Sequence, residues 1–237
     1  MTNGIADISL RKAARIAGLA YLGSFIFSTY GGFVSFGPEE STTTAINDMG
    51  NELLFRSGIV SWIIVLISDA VAAWALYILL KPVNASLSLL SAWFRLIFIA
   101  FAGIALLNLP IALQLSNGAD SLTAYEPGQL QAQTMIFLGA YSHGIHISFV
   151  FFGIHIFFLG YLIFKSSYIP RILGVLLIVA SIGYQINSFA NFFFPNLPDY
   201  VGIFLVPAII SEGALTLWLV FRGGKIEQQD NGALESA

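Results

Sequence analysis

The chain contains no cysteine, so disulfides, thiolate metal sites, cysteine nucleophiles and covalent c-type haem attachment are all excluded. Charge is scarce as well. Only 10% of the 237 residues are Asp, Glu, Lys or Arg, against roughly a quarter in soluble domains. The net charge of −3 and the lack of any basic cluster give a nucleic-acid partner nothing to bind. Several reactive motifs are absent. There is no glycine-rich phosphate loop and no H-E-x-x-H, which removes nucleotide hydrolysis of the P-loop kind and zincin proteolysis. Ser142 and His143 are neighbours, but without a G-x-S-x-G frame they are no nucleophile elbow, and adjacent helical residues point about 100° apart. Lys81 and Lys165 fall at the ends of apolar runs, where neither makes a buried Schiff-base lysine.

What the chain has in abundance is apolar surface: 57% of its residues are hydrophobic, 21 of them Phe, and the mean hydropathy is +0.81. Too little polar sequence remains to cover that surface in water, so the bilayer is the expected solvent and principal partner. Six stretches are long enough to cross a core that needs about 20 helical residues. They run over about 13–36, 58–80, 86–115, 135–164, 172–194 and 201–221. The first is read as a retained helix, because its apolar run exceeds a signal-peptide core and no A-x-A site follows. The fourth is longer than a span needs, so it projects or tilts.

Basic residues occupy alternate connections. Arg11, Lys12 and Arg15 precede the first span, Lys81 follows the second, Lys165 and Arg171 lie between the fourth and fifth, and Arg222 and Lys225 follow the sixth. The other connections carry Arg56 alone among Glu39, Glu40, Asp48, Glu52, Asp120, Glu126 and Asp199. The positive-inside rule makes the basic side, and both termini, cytoplasmic. In the first outer loop, 43–55 has Ile46, Met49, Leu53 and Leu54 at helical spacing, which suits a short surface helix. Asn117-Gly118 and Pro127-Gly128 mark turns in the second. Residues 223–237 form a polar, flexible tail to one six-helix domain. Tyr77-x-x-x-Lys81 recurs as Tyr161-x-x-x-Lys165, a pattern that any cytoplasmic interface produces.

Two stripes of small residues, Ala20/Ser24/Ser28/Gly32 and Ala140/Gly144/Ser148, let helix backbones approach closely; packing within one bundle explains both. Pro110 and Pro207, in the outer parts of spans three and six, are each expected to kink a helix and free a carbonyl. Asp69 lies near the middle of span two and Arg95 in the inner half of span three. Glu212 lies about ten residues from the inner end of span six, or about 15 Å. Each charge costs roughly 2.5–3.5 kcal/mol at a helix centre, so all three are expected to face inward, with Arg95 bridging one or both carboxylates. Such a cluster fixes helix register in one reading. In the other, the carboxylate left over is a proton or ligand site.

All three histidines lie on span four. His143 and His146 share a face, whereas His155 lies deeper on another. An i, i+3 pair can ligate a metal, but only loop carboxylates stand nearby, so neither metal nor cofactor is expected. No other helix has a histidine to complete a bis-histidine haem, which leaves single-histidine ligation formally open. His143 and His146, with Asn108, Tyr184, Asn187, Ser188 and Asn191, either line an outer polar pocket or serve as interhelical hydrogen-bonding groups.

The chain resembles the bacterial integral membrane proteins grouped as domain of unknown function 4386. The resemblance rests on Arg11 to Gly18, Ser68-Asp69 with Ala73 to Tyr77, Lys81 to Asn84, and Ala92 to Arg95. It continues through Phe152-Gly153-x-His155, Gly160-Tyr161-Leu162, Tyr168 to Gly174, and Glu212 six residues before Trp218. It implies a multi-pass protein of the bacterial inner membrane, assigns no reaction, and draws attention to Asp69, Arg95, His155 and Glu212. The reading is therefore an all-α, polytopic transmembrane bundle of six spans. Its expected activity is binding or proton-coupled transport of a small solute through the polar interior. A non-catalytic module that senses or supports a partner is the first alternative, and a membrane-embedded enzyme acting on lipid or quinone the second. The composition sets no oligomeric state.

Overall fold

A computed structural model describes residues 8–36, 51–117, 125–194 and 199–225; among these there is helix and no strand. The helices are α1 (Leu10–Phe36), α2 (Glu52–Leu80), α3 (Ala85–Leu106), α4 (Asn108–Ser116), α5 (Pro127–Lys165), α6 (Arg171–Phe193) and α7 (Val206–Arg222). Short 3-10 turns, Asp199–Leu205 and Gly223–Lys225, flank α7. Among the described residues five stretches are long and apolar enough to cross a membrane: α2, α3 with α4, α5, α6, and Gly202–Arg222. The sixth predicted span is α1. It is 27 residues long, about 40 Å, and is diluted by Ser, Thr, Tyr and Gly.

The helices close into a ring. α1 packs on α2, α2 on α3, α3 on α5, α5 on α6, α6 on α7, and α7 returns to α1. Two contacts fix which ends lie together. Gly223, after α7, meets Ala14 of α1. The Tyr168 hydroxyl, between α5 and α6, donates to the Leu79 carbonyl at the end of α2 (2.5 Å). Arg11, Lys12, Arg15, Lys81, Lys165, Arg171 and Arg222 thus gather at one end, called here the basic end. Arg56 pairs with Glu52 at the far end. Burial holds the Tyr168 hydroxyl pKa up, at about 12, so it stays a donor at any physiological pH.

Several predicted boundaries move. α2 begins at Glu52 rather than near 58, because the Asn51 side chain accepts from Leu54 N–H (3.2 Å). Of the predicted surface helix over 43–55, residues 43–50 lie outside the described residues. Pro127-Gly128 is no turn. It opens α5, where a proline needs no N–H partner, and the Gln129 side chain accepts from Glu126 N–H (3.2 Å). α5 therefore runs 39 residues, about 58 Å. The third predicted span breaks at Leu107 into α3 and α4. Pro110 cannot donate to the Leu106 carbonyl, so the ladder opens there as expected. Pro207 behaves otherwise: it stands in the first turn of α7, and so kinks nothing.

Two apolar clusters fill the ring. The larger joins Ala17, Leu76, Leu79, Ile156, Leu159, Leu177 and Leu215, and the smaller, at the far end, joins Phe55, Leu109, Leu113 and Leu138. Large side chains such as Leu19, Trp93, Ile104, Ile172 and Leu217 stay on the outside, as suits contact with lipid. Glycine sets the closest approaches. A Cβ on Gly174 would lie 2.6 Å from the Gly160 carbonyl and from Phe164 N, and one on Gly144 would lie 2.6 Å from Ala105 Cβ. Gly174→Ala should therefore destabilise the bundle by about 1–3 kcal/mol, whereas Gly139→Ala, whose Cβ meets nothing within 4 Å, should be neutral or stabilising. Thermal melts of the purified variants check the contrast.

Candidate functional site

Arg95 is the largest charged group sealed in the ring. Its side chain is 1% exposed and that of Asp69 5%. Nη2 donates to Asp69 Oδ1 at 2.7 Å, and the same oxygen accepts from the Ser24 hydroxyl (3.0 Å). Nη1 donates to the Tyr21 hydroxyl at 2.6 Å and to His155 Nε2 at 3.3 Å. The guanidinium also lies 4.4 Å from the Tyr21 ring centre and 5.6 Å from that of Phe152. Its Nε–H has no partner. His155 Nδ1 faces the Ser91 carbonyl at 2.9 Å. A carbonyl has no proton to give, so Nδ1 carries the ring proton and Nε2 is the acceptor turned to Arg95. Four helices, α1, α2, α3 and α5, meet on this one cation.

Glu212 stands apart. The expected bridge from Arg95 reaches Asp69 only, and Glu212 instead accepts from the Tyr184 hydroxyl of α6 (2.7 Å). Glu212 is half-buried, whereas Asp69, Arg95 and His155 are fully buried. The Tyr184 ring is held against Phe149 and Phe152, with centres 5.4 and 5.1 Å away.

Of the other predicted polar residues, three bond locally. Asn108 donates to the Ala105 carbonyl (2.9 Å), His143 Nδ1 to Gly139 (2.7 Å), and Asn191 to Asn187 (2.8 Å), each within its own chain segment. His146 is half-buried with an unpartnered Nδ1, Asn187 is buried, and the buried Ser188 hydroxyl is unpartnered. The cavity at the far end, about 770 Å³ and open, is lined by other residues: Glu52, Arg56, Ile59, Val60, Pro110, Leu113, Gln114 and Asn117. Among the described residues no group of three or more His, Asp or Glu is placed to hold a metal. Tyr21, Tyr184 and Ser24 were not singled out as partners of the charges from sequence. A Tyr set mid-span among Ala and Leu was the available signal for the first.

A ring of long apolar helices around a sealed ion pair defines a multi-pass helical membrane protein. The chain belongs to the family described as Domain of unknown function (DUF4386), whose model matches residues 16–223. It is also similar to an "Uncharacterized protein" of Archaeoglobus fulgidus, 31% identical over 170 residues, which are 72% of this chain and 86% of the relative. No solved structure matches.

Removing one partner of a buried pair strands the other charge, at a cost of about 3–5 kcal/mol. Asp69→Asn and Arg95→Gln are each expected to lose that much stability, and the double variant less than the sum. Glu212→Gln, which keeps the Tyr184 hydrogen bond, is expected to melt close to the parent. Thermal melts of the four variants beside the parent read out the difference.

Proposed function

We propose that the protein binds a proton or small solute at Glu212 and carries it through the bundle, with Asp69 and Arg95 as a permanent pair that holds the helices around the site. The observation that carries this reading is the contrast between the two carboxylates. Asp69 has its charge matched by Arg95 and two hydrogen bonds on one oxygen. Among the described residues Glu212 has one neutral donor and no ion pair, and it is partly exposed. A mid-helix carboxylate without a counter-charge must take up a proton, a cation or a polar ligand. The gathered basic end suits the cytoplasmic face of an inner membrane, with both termini there and one domain in all.

One observation favours the alternative of a non-catalytic module that supports a partner. The interior is closed beside the charge cluster: the space among Ser88, Ser91 and His155 is too small for a water. In the transport reading this is the shut side of the site.

The test is a thermal-shift screen across pH and candidate ligands on the purified protein and on Glu212→Gln. The expected result is a pH or ligand response in the parent that the substitution abolishes. Identical responses in both would refute the site and favour the supporting module.

A further inference from the structure

α7 turns one side toward α1, and the two halves of that side differ. Toward the basic end the helices touch: a Cβ on Gly18 would lie 2.9 Å from the backbone of Leu219 and Val220, and Gly223 meets Ala14. Moving outward along that side of α7 leads past the buried Thr216 to Glu212, which is half-buried, and Ile209, which is 59% exposed, with Gly213 on the flank beside them. There the contact is lost: a Cβ on Gly213 would meet nothing within 4 Å. Phe25, two turns outward from Gly18 on α1, is exposed as well. The ring is thus closed between α1 and α7 in its basic half and parted in its far half, among the described residues. Glu212 sits where the two helices part.

Ile209 and Phe25 give this cleft apolar walls, the Thr29 hydroxyl beside them is turned to the Phe25 carbonyl (2.8 Å), and it opens sideways, toward the lipid-facing surface. Glu212 stands at its closed end and makes no ion pair among the described residues. Apolar walls exclude a hydrated ion, and the carboxylate repels anions. We infer that the cleft between α1 and α7 admits a lipophilic organic cation from the bilayer and seats its positive group on Glu212. This rests on the reading of Glu212 as the functional carboxylate, and names the chemistry of what reaches it.

The experiment measures equilibrium binding of tetraphenylphosphonium to the full chain in lipid nanodiscs. Tetraphenylborate, of like shape and opposite charge, and tetramethylammonium, a water-soluble cation, are the comparisons. Two variants are measured beside the parent. Glu212→Gln removes the charge. Gly213→Leu plugs the cleft with a side chain that has room and raises helix propensity, so it should fold. Saturable tetraphenylphosphonium binding is expected in the parent, at least tenfold weaker in each variant, with no binding of tetraphenylborate and no competition by tetramethylammonium. Equal binding by parent and Glu212→Gln, equal binding by Gly213→Leu, or effective competition by tetramethylammonium overturns the inference. If tetraphenylphosphonium fails to bind while the pH response still depends on Glu212, the lipophilic-cation inference fails and the functional reading of Glu212 survives. If neither depends on Glu212, both fail.

Discussion

The structure is organised by what Arg95 requires. A guanidinium has five N–H donors and cannot shed its charge. In a bundle surrounded by hydrocarbon it finds no bulk water, so partners must come from other helices. Asp69 supplies the counter-charge from α2, Tyr21 an oxygen and a ring face from α1, and His155 a nitrogen lone pair from α5. Each partner fixes the rotation of its helix. A slip of one residue would turn a polar side chain toward lipid and leave a donor unsatisfied. Such a cluster need not add net stability against an apolar replacement; its effect is to specify one arrangement of four helices.

Once Asp69 is committed to Arg95, the second carboxylate is the exception that invites a functional reading. Glu212 lies across the ring on α7 and, among the described residues, accepts a hydrogen bond from Tyr184. Close glycine contacts run the length of the bundle: Gly18 of α1 against α7 and Gly160 against Gly174 toward the basic end, and Gly144 against Ala105 toward the far end. What differs between the halves is the α1–α7 seam, closed in the basic half and parted in the far half, and the unpaired carboxylate lies where it parts.

The helices were legible because apolar length is the strongest signal a membrane chain carries, and the break at Leu107 because Pro110 cannot continue the hydrogen-bond ladder. Helix starts were less so. Asn51 and the Glu126-Pro127 step begin α2 and α5 beyond the apolar runs, through capping that hydropathy does not register. Pro207 lies in the outer part of its span as expected but does not kink it, for a related reason: the effect of a proline depends on whether the helix has already begun. Asp69 and Arg95 were legible from the cost of placing them in lipid. Their bond geometry, and the preference of Glu212 for Tyr184, depend on how the helices rotate about the ring, which no local pattern reveals. The outer polar residues share faces, which allowed either a pocket or interhelical hydrogen bonds. Asn108, His143 and Asn191 instead turn back to carbonyls of their own chain segments, a short-range option open to polar side chains on helices.

The central claim, that Glu212 and not Asp69 exchanges a proton within the bundle, is tested most directly by infrared difference spectroscopy across a pH titration in lipid. The account predicts one carboxylic-acid C=O band from the apolar interior, which appears as pH falls, shifts in Glu212→Asp and vanishes in Glu212→Gln. A band that persists unchanged in Glu212→Gln would contradict it, and would place the exchanging proton on another carboxylate.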